Sequence, residues 1–517
     1  MTESSLAAAV RDVLAVDPES YRTDAATDAD FVLSELSDGT FDNHQSILGL
    51  EYEFYAVSEN RWNPGDDGAY GLARVPRRLL ELIGFEKELG LHNAEMTATP
   101  QPFNADGVRA IESEVRSQLT AALDCTAPEG LRLVSDGLWT IPPTGETAQE
   151  YLTDSVDDDG VRIATNMTDA VRYHAMANGD LADTFRVEAP HVDIAAETLM
   201  PESLITSIQP HYQMQQAMDL PRCFSYALRL AGPLLALGVN APFFPPDLYE
   251  DGIDPETILA EGWHENRIAV FESVLNTATE TDKVAFPEDI DSLETAIRRV
   301  VNDEVIVPMD VDRSDRFHDN FATLRRKHGT FWRWVRPVFG GPSRSAANAR
   351  IEFRPLPAQP TVRDSMALTV AFAGAMEGLT RTEHPVGDLP WDAARDNFYA
   401  AMRNGLEADI EWILADGTET SDSTAAITDL LDHAAEGLRA VGLDDGAVDA
   451  YLQPLLWRVD NELTPAGWKR KQVRQRLNDG EGFEEAIHGM QRAYVEHQSQ
   501  TLIDGDFRDW GAEPTAR

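Results

Sequence analysis

The stretch ILGLEYEFYAV, residues 47–57, decides the fold class because its polar and apolar residues alternate as they do along a β-strand. Successive side chains of a strand point to opposite faces of the sheet. Glu51 and Glu53 therefore share one face. The opposite face is apolar and carries Leu50, Tyr52 and Phe54. A single pair of glutamates in this pattern is commonly the solvent-exposed face of an antiparallel sheet.

Three further stretches show the same alternation, with polar residues on one face. These residues are Asn93, Glu95 and Thr97 in 92–97; Gln209, His211, Gln213 and Gln215 in 207–215; and Arg350, Glu352 and Arg354 in 349–355. Each polar face also has an explanation without a functional site. A single glutamate such as Glu95 is commonly a surface residue, and a single histidine such as His211 is commonly structural. Glu352 and Arg354 alone are typical of a cross-strand ion pair. Pro210 argues against a central strand unless its missing N–H faces outward or lies at a bulge.

Taken together, the four polar faces predict a metal-dependent site. If they line one concave sheet, they bring together four carboxylates, one imidazole and two arginines. Mg²⁺ and Mn²⁺ prefer carboxylate oxygens and complete their coordination with water and substrate phosphates. Several carboxylates do not stay ionised close together unless cations lie between them. Arginines on the same face would stabilise the charge on a transferring phosphoryl group.

Two classes of binding site lack support in the sequence. No G-x-G-x-x-G or G-x-x-x-x-G-K-[ST] motif joins a strand to a helix, which disfavours a dinucleotide-binding fold and a P-loop. If ATP is used, metal ions and arginines must hold its phosphates. Cys125 and Cys223 stand apart from other cysteines and histidines, so neither a structural zinc site nor a disulfide framework is expected.

The charge balance is strongly acidic. The 517 residues include 43 Lys+Arg against 89 Asp+Glu, a net charge of −46, which disfavours nucleic acid and anionic membranes as partners. Scarce lysine with an excess of acidic residues is typical of salt-adapted, haloarchaeal-like proteins. Such a surface is tolerated because molar salt shortens the Debye length to about 3 Å and screens the repulsion between carboxylates. The longest apolar stretch, 226–244, contains Arg229 and Pro233 and is expected to be a buried helix rather than a membrane span. The acidic N-terminus lacks the basic region of a signal peptide, so a cytoplasmic location is expected.

Short strand-like segments alternate with long helical ones along the chain, a pattern that fits either parallel α/β or α+β. Near the start, a short helix over 6–16 and then an acidic connector are expected. Further helices are expected over 75–90 and 391–414. Residues 416–423 are polar and rich in small residues, which indicates a boundary, and residues 424–517 are expected to form helices only.

Six segments resemble the glutamate–cysteine ligase family, in the branch of plant-type and archaeal γ-glutamylcysteine synthetases and bacterial carboxylate–amine ligases. In chain order they are GLEYEF (49–54), NAEMTATPQ (93–101), ITSIQPHYQMQ (205–215), TFWRWVRPV (330–338), ARIEFRPLPAQPTVRDSMAL (349–368) and DNFYAAMRNGLEADI (396–410). The resemblance covers about residues 47–412. Trp334 stands where the related motif has an acidic residue.

The resemblance implies a glutamine synthetase-like α+β fold: a curved antiparallel sheet forms a trough, with helices on its outer face. With the boundary at 416–423, the chain is expected to divide into a helical and acidic extension over 1–40, a catalytic domain over 41–415 that carries the resemblance, and an α-helical region over 416–517. The resemblance also implies metal ligands, which would be Glu51, Glu53, Glu95, His211 and Glu352. Gln209 and Gln213 would face the cofactor, and Arg354 and Arg336 would contact phosphate or the substrate carboxylate.

The activity implied by the resemblance is ATP- and Mg²⁺-dependent ligation of a carboxylate to an amine through an acyl phosphate, with Mn²⁺ as an alternative ion. A glutamate-like carboxylate and an amine such as cysteine are the expected substrates. Two alternatives stay open. One is a ligase for an amine other than cysteine, and the other is a catalytically silent relative that binds a nucleotide or a protein partner.

Overall fold

The computed structural model describes residues 5–59, 70–179, 184–311 and 313–511. The strands are β1 Ile47–Ser58, β2 Phe85–Lys87, β3 Asn93–Pro102, β4 Leu131–Val134, β5 Ser155–Asp158, β6 Val161–Ala164, β7 Phe185–Ala189, β8 Val192–Ala196, β9 Ile208–Gln213, β10 Val284–Ala285, β11 Trp332–Arg333, β12 Val335–Gly340, β13 Asn348–Phe353, β14 Trp412–Ile413 and β15 Glu419–Thr420.

The α-helices are α1 Leu6–Leu14, α2 Pro18–Ser37, α3 Arg77–Glu81, α4 Ala105–Thr126, α5 Ala148–Thr153, α6 Val171–Met176, α7 Leu220–Gly238, α8 Pro255–Glu261, α9 Asn266–Asn276, α10 Leu293–Asn302, α11 Ala322–His328, α12 Val362–Thr382, α13 Trp391–Asn404, α14 Ser423–Ala440, α15 Asp445–Asp460, α16 Pro465–Asn478, α17 Phe483–Thr501 and α18 Arg508–Gly511. Among the described residues, no helix combines the length and apolarity needed to cross a bilayer.

The main sheet has seven strands, with six in the order β12–β13–β9–β1–β3–β2 and β4 paired with the end of β1. Every pairing in it is antiparallel. The parallel α/β alternative is therefore wrong. The predicted fold class is confirmed as an antiparallel sheet with helices packed on it and a helical C-terminal region.

One face of this sheet is apolar and covered by helices. Tyr52 and Phe54 of β1 are fully buried, as the alternation in the sequence predicts. Helices α4, α7 and α12 pack on this side. Phe353 of β13 stacks on Phe372 of α12, with ring centroids 4.3 Å apart. Because the helices occupy the apolar face, the glutamates of β1 are directed to the opposite one.

Pro210 lies in a central strand without disrupting the ladder. It is opposite Leu50 of β1, whereas the pairing of β9 with β13 runs only from Gln213 to His211. The missing N–H of Pro210 therefore costs no hydrogen bond to β13.

Three predicted elements differ from the structure. The expected acidic connector is helix α2, which has Asp17 as its N-cap and Pro18 in its first turn. The helix expected over 75–90 is only α3, after which Gly84, with φ 91°, turns the chain into β2. The helix expected over 391–414 stops at Asn404, before Gly405 with a positive φ of 57°. The helices expected after residue 424 are confirmed through residue 511.

Buried polar contacts join the C-terminal helices to two loops of the sheet. Arg458 of α15 is fully buried, and its guanidinium is 2.7 Å from Asp364 and 2.9 Å from Gln359. Lys469 of α16 pairs with Asp136, which follows β4. The division of the chain at 416–423 stays a prediction. In the structure, buried side chains on the two sides of this segment contact one another.

Candidate active site

The five predicted metal ligands share the polar face of the main sheet, which we call the acidic face. Glu53 lies opposite Glu95 of β3, and Glu51 lies opposite Gln209 of β9. His211, two residues further along β9, lies opposite Glu352 of β13. Directly opposed residues of an antiparallel pair project to the same side, and so do residues two apart. The fold therefore brings these side chains together on four adjacent strands.

Glu51, His211 and Glu352 form the first of two clusters on the acidic face. His211 Nε2 lies 3.3 Å from Glu51 Oε1. Burial alone would raise the pKa of Glu51, but His211 outweighs it and holds that pKa below its usual value. Burial likewise opposes ionisation of Glu352, yet Arg336 and Arg354 hold its pKa well below the usual range. Both carboxyl groups are consequently anionic.

The predicted catalytic arginines contact the same carboxylate. Arg336 donates to Glu352 Oε1 from Nε at 2.9 Å, and Arg354 donates to that oxygen from Nη1 at 2.6 Å. In the described part of the chain, the hydrogen bonds and ion pairs of Glu352 all fall on Oε1, so Oε2 is left for another ligand. Arg354 also donates to Gln209 Oε1.

The tautomer of His211 sets a condition on cation binding. Arg350 Nε donates to His211 Nδ1 at 3.1 Å, so the ring proton lies on Nε2 in this arrangement. Nε2 is buried, and its neighbour is Glu51 Oε1 at 3.3 Å. For Nε2 to bind a cation, Arg350 must turn away so that Nδ1 can take the proton. Arg350 is a side chain on a strand, and rotation about its own bonds is sufficient for this change.

Glu53, Glu95 and Glu88 form the second cluster. Glu53 accepts hydrogen bonds from the Ser207 N–H at 2.6 Å and from Gln209 Nε2 at 2.9 Å. Burial and the neighbouring Glu88 nevertheless raise the pKa of Glu53 to about 7. Burial and the same glutamate raise the pKa of Glu95 well above its usual value. Crowded, buried carboxyl groups of this kind are the arrangement that a divalent cation stabilises.

The sequence matches the family model described as glutamate-cysteine ligase family 2 over residues 47–499. The chain belongs to this family. The match extends beyond residue 412, where the resemblance of the sequence motifs ended, and takes in most of the C-terminal helices. No curated protein matches the chain at a significant level.

Solved structures similar to this member of glutamate-cysteine ligase family 2 include a bifunctional glutathione synthetase from Pasteurella multocida, with 14% identity and a TM-score of 0.48 over 91% of this chain and 55% of that one. A glutamate–cysteine ligase from Francisella tularensis in complex with AMP has 12% identity and a TM-score of 0.46 over 90% of this chain and 91% of that one. The chain thus spans about half the length of the first of these proteins.

Trp334, the departure from the family motif, is buried beside the site, with its ring 5.2 Å from the Arg267 guanidinium. It is 1% exposed, and its ring nitrogen donates to Glu272 Oε1 at 2.8 Å. The residues that follow it in the motif, including Arg336, still reach the acidic face. The substitution of an aromatic residue for an acidic one therefore leaves the two carboxylate clusters of this family member intact.

Three residues at the site were not predicted from the sequence. Glu88, Glu202 and Arg267 line one cavity together with Glu53 and Arg354, which we call the Glu53 cavity. Burial, Glu88 and Glu53 raise the pKa of Glu202 to about 8. None of the three lies on a strand, so alternation of polar and apolar residues could not identify them.

A second cavity, of about 330 Å³, adjoins the other cluster and is called the Glu352 cavity. Part of its wall is apolar and comes from Ile297, Val300, Phe321 and Leu324. Its polar wall comprises Glu51, Arg325, His328, Arg336, Arg350 and Glu352. Gln213 lines a neighbouring space of about 270 Å³ with His211 and Arg350.

Within the described ranges, one group of three side chains brings metal-ligating atoms within 4.8 Å of one another, and it lies away from the acidic face. It consists of His384, Asp429 and His433. The Val386 N–H donates to His384 Nδ1 at 3.2 Å, so the ring proton lies on Nε2, 3.0 Å from Asp429. Unlike Arg350, this donor is backbone and cannot turn away. We therefore interpret the group as packing between α14 and the turn after α12 rather than as a metal site.

Proposed function

We propose that the protein is an ATP-dependent ligase that joins a carboxylate to an amine through an acyl phosphate. A glutamate-like carboxylate is the proposed acyl donor, and cysteine is the first candidate for the amine. The observation that carries the proposal is the convergence of Glu51, Glu53 and Glu95 with His211 and Glu352 on one sheet face. Membership of glutamate-cysteine ligase family 2 supports the same reaction class.

Divalent cations fit both clusters of the acidic face. Glu51 and Glu352 are anionic, and Oε2 of Glu352 is left for a ligand in the described structure. In the other cluster, Glu53, Glu88 and Glu95 repel one another. We propose that these residues, with His211, hold Mg²⁺ or Mn²⁺. A bound ion of this kind neutralises phosphate charge and orients the phosphates of ATP.

The Glu352 cavity suits a nucleotide. A purine base is largely apolar on its faces, and Ile297, Val300 and Leu324 supply a matching wall. Arg336 and Arg350 line the same cavity on the side of Glu352. We propose that the base lies against the apolar wall and that the phosphates extend toward these arginines and the acidic face.

The Glu53 cavity, of about 30 Å³, has room for the carboxylate end of the acyl donor. Arg267 and Arg354 line it; Arg354 Nε is buried without a hydrogen-bond partner, whereas Arg267 Nε lies 3.4 Å from Glu265 Oε1. A planar guanidinium is well matched to a carboxylate. Arg354 also contacts Glu352 of the other cluster, so it lies between the two cavities. This position suits a residue that stabilises charge as a phosphoryl group moves from the nucleotide to the carboxylate.

The proposed reaction has two steps. A carboxylate oxygen of the substrate attacks the γ-phosphorus, the bond between that phosphorus and the bridging oxygen of ADP breaks, and an acyl phosphate forms. The amine nitrogen then attacks the acyl carbon, the bond to the phosphate oxygen breaks, and phosphate leaves. The side chains orient the substrates and balance charge, because no covalent protein intermediate is required.

The test is ADP release by the purified protein in molar KCl with ATP, Mg²⁺, glutamate and a panel of amines that includes cysteine. We expect release that requires both glutamate and an amine. Release with other amines but not with cysteine would favour the alternative amine substrate. If no amine supports release, the protein is a silent relative and the proposed function is wrong.

A further inference from the structure

His328 is the last residue of helix α11, and its side chain lines the Glu352 cavity. It follows Leu324 by four residues, about one helical turn, so the two side chains lie on the same face of the helix. Leu324 belongs to the apolar wall that the proposed function assigns to the purine base. His328 therefore places an imidazole ring beside the proposed position of the base.

The sheet fixes the tautomer of His328. Its Nε2 lies 2.9 Å from the carbonyl oxygen of Pro337, and a carbonyl oxygen only accepts hydrogen bonds, so the ring proton is on Nε2. Pro337 lies in β12 opposite Ile351 of β13, and this pairing holds the acceptor in place. In the neutral ring, the other nitrogen, Nδ1, consequently carries a lone pair.

Nδ1 of His328 is available to accept a hydrogen bond from a ligand. No described residue donates to it, and it is not enclosed by the protein as the partnerless Nδ1 atoms of His174 and His264 are. Burial and the positive charge of Arg336 lower the pKa of His328 to about 3, against the opposing effect of Glu352, so the ring is neutral at neutral pH. The cavity therefore presents an acceptor in a fixed direction beside an apolar wall.

The purine bases differ at position 6 in the group that such an acceptor can contact. Adenine carries an amino group, which donates hydrogen bonds, whereas guanine and hypoxanthine carry a carbonyl oxygen, which accepts them. An amino group in contact with Nδ1 of His328 would form a hydrogen bond. A carbonyl oxygen in the same place would face the lone pair and would leave two acceptors without a donor.

The arginines of the cavity do not reverse this preference. Arg336 and Arg350 are assigned to the phosphates of the nucleotide. Arg325 is the remaining arginine of the lining, and its side chain is 43% exposed, with the guanidinium 3.9 Å from Asp319. It lies at the open side of the cavity, whereas His328 is half-buried.

We propose that His328 determines the base specificity of the nucleotide site: its Nδ1 accepts a hydrogen bond from the 6-amino group, so the site selects adenine over 6-oxopurines. This inference rests on the proposed function, which places the base in the Glu352 cavity. The cavity volume of about 330 Å³ is within the range of small-molecule sites, about 300–1,000 Å³. The carbonyl of His328 also accepts from Arg336 Nη1 at 3.1 Å, so one residue contacts both the base and an arginine on the phosphate side.

The experiment measures binding of three triphosphates to the full chain by isothermal titration calorimetry, in molar KCl with Mg²⁺ and without an acyl donor or amine. ATP carries a 6-amino group, purine riboside triphosphate carries hydrogen at that position, and ITP carries a carbonyl oxygen. We expect wild type to bind ATP about 10-fold more tightly than purine riboside triphosphate, and to bind ITP more weakly than both.

The variant His328→Phe keeps a planar ring and removes both nitrogens. It should bind ATP and purine riboside triphosphate with dissociation constants within about 2-fold of each other. His44→Asn, at an exposed histidine that lines neither cavity, is the matched control and should keep the wild-type order. If His328→Phe does not fold, the wild-type order of the three triphosphates still tests the inference, because a donor in the place of Nδ1 would reverse that order.

The outcomes separate this inference from the proposed function. Equal binding of the three triphosphates by wild type, tightest binding of ITP, or an ATP preference retained in His328→Phe would each overturn the role of His328. If wild type binds none of them, the nucleotide site and the ligase function are wrong together with it. If the triphosphates bind in the expected order but no amine supports ADP release, the ligase function is wrong and the role of His328 stands.

Discussion

Glu53 and Glu95 lie directly opposite each other on antiparallel strands β1 and β3. Like charges at such a position repel, because opposed Cβ atoms are only about 5 Å apart. Hydrogen bonds from Ser207 and Gln209 fix the carboxyl group of Glu53, so it cannot swing away without losing them. The sheet thus holds two carboxyl groups that oppose each other's ionisation, and we propose that a bound cation relieves this opposition.

Glu53→Gln should abolish turnover and leave the fold intact. The amide has the size of the carboxylate and keeps one oxygen to accept from the Ser207 N–H, but it carries no charge for a cation. We expect ADP release to fall by about 100-fold or more. Steady-state ADP release and circular dichroism of the variant provide the measurement. Turnover equal to wild type would contradict the assignment of Glu53 as a metal ligand.

Mg²⁺ should raise the thermal unfolding midpoint of the wild-type protein, and Glu95→Gln should reduce that rise. A ligand that binds only the folded state stabilises it by about 2.7 kcal/mol at 100 times its dissociation constant. Without Mg²⁺, the variant should be more stable than wild type because one of the two opposed charges is removed. Differential scanning calorimetry with and without EDTA tests both expectations. An identical Mg²⁺ response in the two proteins would exclude a cation at this cluster.

Arg336→Lys should lower kcat although it conserves the charge. Arg336 contacts Glu352 from Nε and Nη2, and Nη1 donates to the carbonyls of His328 and Phe331 at 3.1 Å each. A single ammonium group cannot reproduce this planar set of donors. We expect kcat to fall about 100-fold in the ADP-release assay. Arg109→Lys, in an exposed ion pair with Asp106, is the control and should be silent.

The folded state should lose stability as salt is removed. We propose a salt-adapted surface because the chain carries a net charge of −46. The Debye length is about 3 Å at 1 M salt and about 10 Å at 0.1 M, so repulsion between surface carboxylates extends further in dilute buffer. Thermal unfolding measured by circular dichroism should give a lower midpoint in 0.1 M than in 2 M KCl. A midpoint independent of KCl would argue against salt adaptation.

Arg458→Met should destabilise the whole protein. The guanidinium is fully buried and contacts Asp364, Gln359 and the Leu237 carbonyl. Removing it leaves a buried carboxylate without its main partner, at a cost of about 3–5 kcal/mol. Urea unfolding gives the free energy directly. Arg439→Met, which breaks an exposed pair with Asp445, should cost less than about 1 kcal/mol.

Four strands of the sheet, β1, β3, β9 and β13, were predictable because each carries its own signal. In β1, the two-residue period assigns the polar and apolar side chains to opposite faces of the sheet. The same period in β3, β9 and β13 was sufficient to assign all five predicted metal ligands to the polar face without knowledge of tertiary contacts. Helix α2 gave no such signal. Its Asp28 is 2% exposed and accepts from the N–H groups of Thr323 and Leu324 at the start of α11. A buried aspartate that caps a distant helix looks like a surface residue in the sequence.

The site residues that lie on strands could be predicted from the sequence. Glu88 lies seven residues before Glu95, in a segment whose pattern indicated a helix. Glu202 and Arg267 belong to a short turn and to helix α9, which reach the cavity only through the packing of the whole fold. Residues that a single element places can be found by periodicity. Residues that several elements bring together require the structure.

The contacts of Arg458 and Lys469 bear on the order in which the protein is made. During synthesis, all residues from Glu51 to Arg354 leave the ribosome before these two cations do. The loops at Asp136 and Gln359, which contact the residues just before β9, therefore lack their buried partners until α15 and α16 have emerged. A nascent chain that already contains all the carboxylates of the acidic face still lacks Arg458 and Lys469, the buried cations that contact the loops beside it. Activity should begin only after translation of α16.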